Sequence, residues 1–293
     1  MSIPESQLLT WSNQGATVTA QATHESIRRA LSLYTWPRGI EYDPYLQGSY
    51  RNFTNIYNSS DVDLVVELTS AFCSNLTLAE RSQLGFGSAD YGWNEFRVDV
   101  VRALISYYGA ENIDLSGTKS IKVLPESGRL RADVVPAIKY RYYENLRLRE
   151  EGITFWTVPG NDQIINYPKA HFRNGADKNS DHCTQGWYRP STRMIKNSRE
   201  KIVSNNSLLA GKYPSYFIEC LLWNVPDRYY GINYQRTYQN VVSWLEEHLD
   251  SDPSDNFVCQ NGMHYLFGYS SVQWNLTTAK EFVQKLVELW NGW

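Results

Sequence analysis

Across residues 4–33 the apolar side chains Leu8, Trp11, Val18 and Ala22 fall on a helical stripe that slips phase and resumes at Ile27 and Leu31. This pattern predicts one long leading helix, stopped by Pro37-Arg38-Gly39. From Asp61 to Leu68 the pattern changes: a polar start is followed by a β-branched apolar run, the mark of a buried strand. Helices are expected over 76–84 and over 93–108, the second closed by Gly109 as its C-cap. Strands are expected over 120–124, 131–140 and 152–156. After Pro168 the periodicity is helical, with elements over 192–203, 215–223, 237–249 and 278–290, and Asp252-Pro253-Ser254-Asp255 marks a loop. The expected class is therefore α+β, with a mixed sheet and long N-terminal helix over residues 1–165 and a helical lobe over 166–293.

The strand over 61–68 begins with two acids. Successive side chains on a strand alternate faces, so Asp61 and Asp63 project together while Val62 turns to the core. Two adjacent carboxylates repel unless a cation lies between them, and hard Mg²⁺ suits one or two carboxylates plus phosphate oxygens. Upstream, Gly48 allows close backbone approach to a phosphate, and Ser49 adds a hydroxyl beside main-chain donors. A two-metal site needs a third acid on a neighbouring strand. Asp133 meets that need inside the otherwise apolar strand pattern of the run Arg129 to Ile138; pairing with Arg131 or Lys139 is the alternative for its charge.

The motifs Gln47-Gly48-Ser49-Tyr50-Arg51-Asn52-Phe53-Thr54-Asn55-Ile56, Ser60-Asp61-Val62-Asp63 and Ala132-Asp133-Val134-Val135-Pro136 resemble the nucleotidyltransferase superfamily with a polymerase-β-like core. Within it the chain is most similar to the bacterial CD-NTases, the cGAS/DncV-like enzymes related to the animal DNA sensor cyclic GMP-AMP synthase. The stretches Ile165 to His171, Met194-Ile195-Lys196-Asn197 and Ser215 to Leu222 look like the E clade, the CdnE-like members. The resemblance implies synthesis of a cyclic oligonucleotide from nucleoside triphosphates in CBASS antiphage defence. A separate effector would read the signal. It also implies Asp61, Asp63 and Asp133 as catalytic, metal-ligating acids for two Mg²⁺ ions, with Mn²⁺ as a substitute, and Gln47, Gly48 and Ser49 beside the nucleotide.

Further nucleotide-binding candidates lie in the second half. Arg193, Lys196 and Arg199 have a spacing of three on one helix, a basic face suited to a triphosphate site. Lys196 is expected on the β- and γ-phosphates, Ser215 at a helix start as a donor to them, and Tyr216 as a stacking surface for a base. The resemblance gives these three residues the same roles. It also places Asn166 in a base pocket, where Asn goes with uracil: the amide supplies a donor for O4 and an acceptor for N3–H. Gln185-Gly186-Trp187 looks like the Arg/Gln-x-Trp motif of members that accept pyrimidines at both positions. The expected product is cyclic di-UMP from UTP, with cyclic UMP-AMP as the alternative and CTP or ATP as further substrates.

Charge narrows the class. The net charge is −3 over 293 residues, without the basic excess that enzymes holding long nucleic acids carry. The basic, aromatic stretch 139–149 reads as a nucleic-acid groove or, more simply, as a solvated strand-and-loop surface. The cysteines Cys73, Cys183, Cys220 and Cys259 show no C-x-x-C pairing, which disfavours zinc and a disulfide framework. No apolar run is long enough for a bilayer and no secretory leader is evident, so a cytoplasmic monomer without membrane or nucleic-acid partner is expected. Two other classes share parts of this pattern. A template-independent RNA nucleotidyltransferase would extend labelled RNA, and a non-catalytic nucleotide-binding protein would lack one of the three acids.

Overall fold

The computed structural model describes residues 2–57, 61–250, 257–270 and 272–293. The 252–255 loop and Ser60 of the acid motif lie outside the described residues. The leading stripe forms two helices, α1 (Glu5–Ser12) and α2 (Val18–Ser32), where one was expected. The phase slip in the apolar pattern marks the break. Gly15 N–H donates to Asn55 O at 3.0 Å, and a Cβ at Gly15 would strike the Ile56 carbonyl, so the chain is held non-helical there.

The chain divides into two compact units, one of residues 16–51 and 60–170 and the other of residues 1–15, 52–59 and 171–293. The first is built on a sheet. Strands β1 (Tyr42–Leu46), β2 (Asp61–Ser74), β3 (Ile113–Asp114), β4 (Ile121–Val123) and β5 (Arg131–Glu144) run in the order β1-β2-β5-β4-β3. On the other side of the branch, β6 (Arg147–Trp156) pairs with β5, and β7 (Gln163–Asn166) pairs with β6. β2 is antiparallel to β1 and parallel to β5, so the sheet is mixed. Its central run Leu64 to Leu68 is almost wholly buried, as a strand covered on both faces must be.

Helix α2 contributes Ala20, Ile27, Ala30 and Leu31 to this core. The short helices α3 (Gly48–Asn52) and α4 (Leu78–Gln83) precede α5 (Trp93–Tyr108), which contributes Phe96, Val100 and Leu104. Glu95 caps α5 by accepting from Gly92 N–H, and Gly109 (φ +84) ends it, as the sequence leads one to expect. The basic stretch 139–149 is strand and hairpin: β5 turns into β6 through Asn145 and Leu146, both at positive φ.

The second unit is helical. It comprises α1, residues 52–57, most of α6 (Pro168–Lys178), and the helices α7 (Tyr188–Asn205), α8 (Ser215–Asn224), α9 (Tyr234–Asp250) and α10 (Leu276–Asn291). Their apolar faces meet in one core that includes Leu8, Ile195, Phe217, Leu221, Val241, Leu245, Phe282 and Leu286. Among the described residues, no helix is long and apolar enough to cross a membrane. All four cysteines are free thiols.

Candidate active site

In the sheet unit the register of β2 and β5 settles which acids are neighbours. Asp63 lies directly opposite Asp133, Val62 opposite Ala132 and Asp61 opposite Arg131. Val62 and Ala132 are fully buried. Opposed residues on parallel strands share a face, so Asp61, Asp63 and Asp133 all project from the opposite face of the sheet, with neighbouring strands about 4.8 Å apart.

The two opposed carboxylates lean toward different neighbours. Asp63 sits against Gly48: a Cβ at that position would collide with Asp63 Oδ2. Asp133 Oδ1 accepts a hydrogen bond from Ser120 Oγ at 3.1 Å, a partner other than the Arg131 or Lys139 that sequence offers. Among the described residues no three acids, imidazoles or thiols are gathered around a common point. The donor set itself, three partly exposed carboxylates on one strand-end face, suits a hard divalent cation.

Gly48 has a second reason to be glycine, since its φ is +62. It opens the short helix α3 (Gly48–Asn52), and the preceding Gln47 N–H donates to Asp63 O at 2.9 Å, tying the loop to the acid-bearing strand. Ser49 is half-buried on that turn. Tyr50 is buried, and burial first, then the charges of Asp61 and Asp63, push its phenol pKa up.

Asn166 closes β7, opposite Ile153 of β6. Its Oδ1 accepts the Tyr167 N–H at 2.9 Å, which orients the amide and commits part of its accepting capacity. A few residues on, Lys169 donates to the buried Glu67 at 2.7 Å.

In the helical unit Lys196, expected from the sequence on a phosphate, has a side chain that is 1% exposed, and its ammonium donates to Glu219 Oε1 (2.5 Å), Thr54 Oγ1 (3.0 Å) and Thr54 O (3.2 Å). An ammonium has three protons, and all three are spent inside the unit. The other two members of that basic face are partly exposed and also spend donors on main-chain carbonyls: Arg193 on those of Ser12 and Phe53, and Arg199 on that of Tyr213.

Glu219, which sequence reasoning missed, is the centre of this network. It also accepts from Asn52 Nδ2 (2.9 Å) and Thr54 Oγ1 (2.6 Å), and it pairs with His171 Nε2 (2.8 Å). Burial alone would raise its pKa. Lys196 and His171 outweigh burial and hold the carboxyl well below the usual carboxylate range. The only signal in the sequence was a lone charge inside the apolar run of α8.

Ser215 is the first residue of α8, directly after Pro214. Next to it, Tyr216 lies near-parallel to the rings of His171 (4.8 Å) and Trp274 (5.4 Å), and its hydroxyl accepts from Asn261 at 3.2 Å. Gln185 is exposed on the turn before α7 at φ +49, followed by Gly186 at φ +83. Trp187 packs on Tyr234 at 4.9 Å.

Residues 173–291 match the family model of the cGAS/DncV-like nucleotidyltransferase C-terminal helical domain. The cyclic UMP-AMP synthase of Rhodothermus marinus is 47% identical, over 100% of this chain and 99% of its own. The cyclic nucleotide synthase CdnE01 of Staphylococcus haemolyticus is 38% identical over the full length of both. The solved structure of the Rhodothermus marinus CdnE c-UMP-AMP synthase with Apcpp and Upnpp superposes with a TM-score of 0.92 at 46% identity, covering 99% of this chain and 97% of that one.

Proposed function

We propose that this chain, which belongs to the cGAS/DncV-like nucleotidyltransferases and is an enzyme of their CdnE, cyclic-dinucleotide-synthesising branch, makes a uridine-containing cyclic dinucleotide. The observation that carries the chemistry is the register that sets Asp63 against Asp133, with Asp61 on the same face. Three carboxylates there have one economical use: to hold divalent cations, Mg²⁺ or in its place Mn²⁺, which supply Lewis-acid neutralisation of phosphate charge.

The remaining work falls to the chain's own groups. Gln47, Gly48 and Ser49 offer backbone and hydroxyl donors to a triphosphate. Tyr216 extends its aromatic contacts to a base. The 3′-hydroxyl of one nucleotide attacks the α-phosphorus of a second. A new P–O bond forms, the bond to pyrophosphate breaks, and the hydroxyl proton is lost to solvent. The linear intermediate repeats the step on its own remaining triphosphate, releasing a second pyrophosphate and closing the ring.

Uracil selection rests on Asn166. With Oδ1 partly engaged by Tyr167 N–H, its Nδ2 donors match the O4 acceptor of uracil and leave the amino group of adenine or cytosine without a partner. Cyclic UMP-AMP is the product we favour, because one such selector accounts for one pyrimidine and the 47% identical relative carries that name. Cyclic di-UMP is the second reading, favoured by the Gln185-Gly186-Trp187 sequence. Product formation needs no added DNA or RNA on this account, given the net charge of −3. The signal acts inside the bacterial cell through a separate effector in antiphage defence. Reactions with each α-labelled triphosphate in turn test the base assignment: phosphatase-resistant product must take label from UTP. Label entering from purines alone contradicts it.

A further inference from the structure

The face that carries the acids continues across β4 and β3. Lys122 of β4 is the register partner of Asp133, and Asp114 of β3 is the register partner of Lys122. A row therefore runs Asp114, Lys122, Asp133, Asp63 across four strands, and each member is partly exposed. A lysine directly opposite a catalytic acid is its natural counter-ion. Lys122 is engaged elsewhere: its Nζ lies 3.7 Å from Asp114 Oδ2.

Asp114 is itself fixed for this task. Its other oxygen, Oδ1, accepts the Ser116 N–H at 2.8 Å, so one carboxylate binds the following turn with one oxygen and Lys122 with the other. The group that does reach Asp133 is neutral. Ser120 sits just before β4, two residues from Lys122 and hence on the same face, and its hydroxyl donates to Asp133 Oδ1 at 3.1 Å.

A hydroxyl fixes a carboxylate without cancelling its charge, whereas an ammonium does both. Hydrogen bonds from outside a metal's own ligands hold ligating carboxylates in place, and removing one typically costs about 10- to 100-fold in metal affinity. We propose that Ser120 is a positioning residue for Asp133, and that Asp114 draws Lys122 aside so that Asp133 meets a divalent cation with its charge uncancelled. The inference rests on the metal role assigned to the three acids above.

The test uses Mn²⁺ alone as probe, titrated into the full-length protein with a non-hydrolysable UTP analogue and read as free ion by electron paramagnetic resonance, so that turnover is not the readout. Ser120→Ala is expected to bind Mn²⁺ about 10-fold more weakly, with an unchanged melting temperature, and Ser120→Thr, which keeps the hydroxyl, to recover wild-type binding. Asp114→Asn keeps the turn to Ser116 but frees Lys122, and is expected to weaken binding by about threefold, the scale of an exposed ion pair. Adding Lys122→Met should restore it. Wild-type affinity in Ser120→Ala, or no recovery in the Asp114→Asn, Lys122→Met double variant, overturns the proposal. An Asp63→Asn control separates this from the premise: if that variant binds Mn²⁺ as tightly as wild type, the metal role of the acids falls first.

Discussion

Replacing Lys196 by methionine separates its buried position from the phosphate-binding role that the sequence suggested. Methionine keeps most of the apolar stem and removes the ammonium, so three hydrogen bonds disappear and Glu219 is left buried at 3% exposure without its cation. Breaking a buried pair by removing one partner typically costs about 3–5 kcal/mol. For a unit of this size that corresponds to a fall in melting temperature of roughly 6–20 °C. The assay is thermal unfolding followed by tryptophan fluorescence, paired with calorimetric titration of a non-hydrolysable UTP analogue at low temperature, where the variant is still folded.

The expected result is a large loss of stability with analogue affinity within about twofold of wild type, since no ammonium proton is left for a phosphate. The double variant Lys196→Met, Glu219→Gln should regain part of the loss, because the charge left uncompensated is gone. A melting temperature within a degree or two of wild type, together with an affinity lowered tenfold or more, would refute the buried pairing and return Lys196 to the triphosphate.

Asp61→Asn and Asp63→Asn should each abolish nucleotide incorporation while leaving the melting temperature nearly unchanged. Asp133→Asn should be severe, and incorporation assays beside unfolding curves check all three. Gly48→Ala should cost activity more than stability, because its methyl group would press on Asp63 Oδ2 and because φ is +62 there; an active variant would remove the loop from the site. Asn166→Ser should raise the purine fraction of the product, measured by competition between UTP and ATP. On the acid side, Glu219 is ionised in the folded chain at pH values where a free glutamate is protonated. Its stabilisation is therefore complete above about pH 4.3 and lost as pH falls from there toward the folded value. Urea unfolding between pH 3 and 6 should show that slope in wild type and a shallower one in Glu219→Gln.

The acid-bearing strands were legible because each acid interrupts an apolar run whose period is short and local, and the structure returns Asp61, Asp63 and Asp133 on one face of adjacent strands. The helical second half and the C-cap at Gly109 were legible for the same reason. Long-range pairing was not. Nothing in the neighbourhood of Lys196 announces that Glu219, Thr54 and Asn52 will meet there, since these contacts span up to 167 positions along the chain. The leading stripe misled because periodicity cannot show that Gly15 is held against Ile56. Ser120 and Asp114 were invisible too: a serine before a short strand and an aspartate on a turn acquire meaning only when the register of β3, β4 and β5 is known.

The most direct test of the central claim is mass spectrometry of the product formed by wild-type protein with all four ribonucleoside triphosphates and Mg²⁺, beside an Asp63→Asn control. The account predicts a cyclic dinucleotide containing at least one uridine, cyclic UMP-AMP foremost, formed without DNA or RNA, absent from the control and absent when the metal is chelated. A product made of purines alone, or one that appears only when nucleic acid is added, would contradict it.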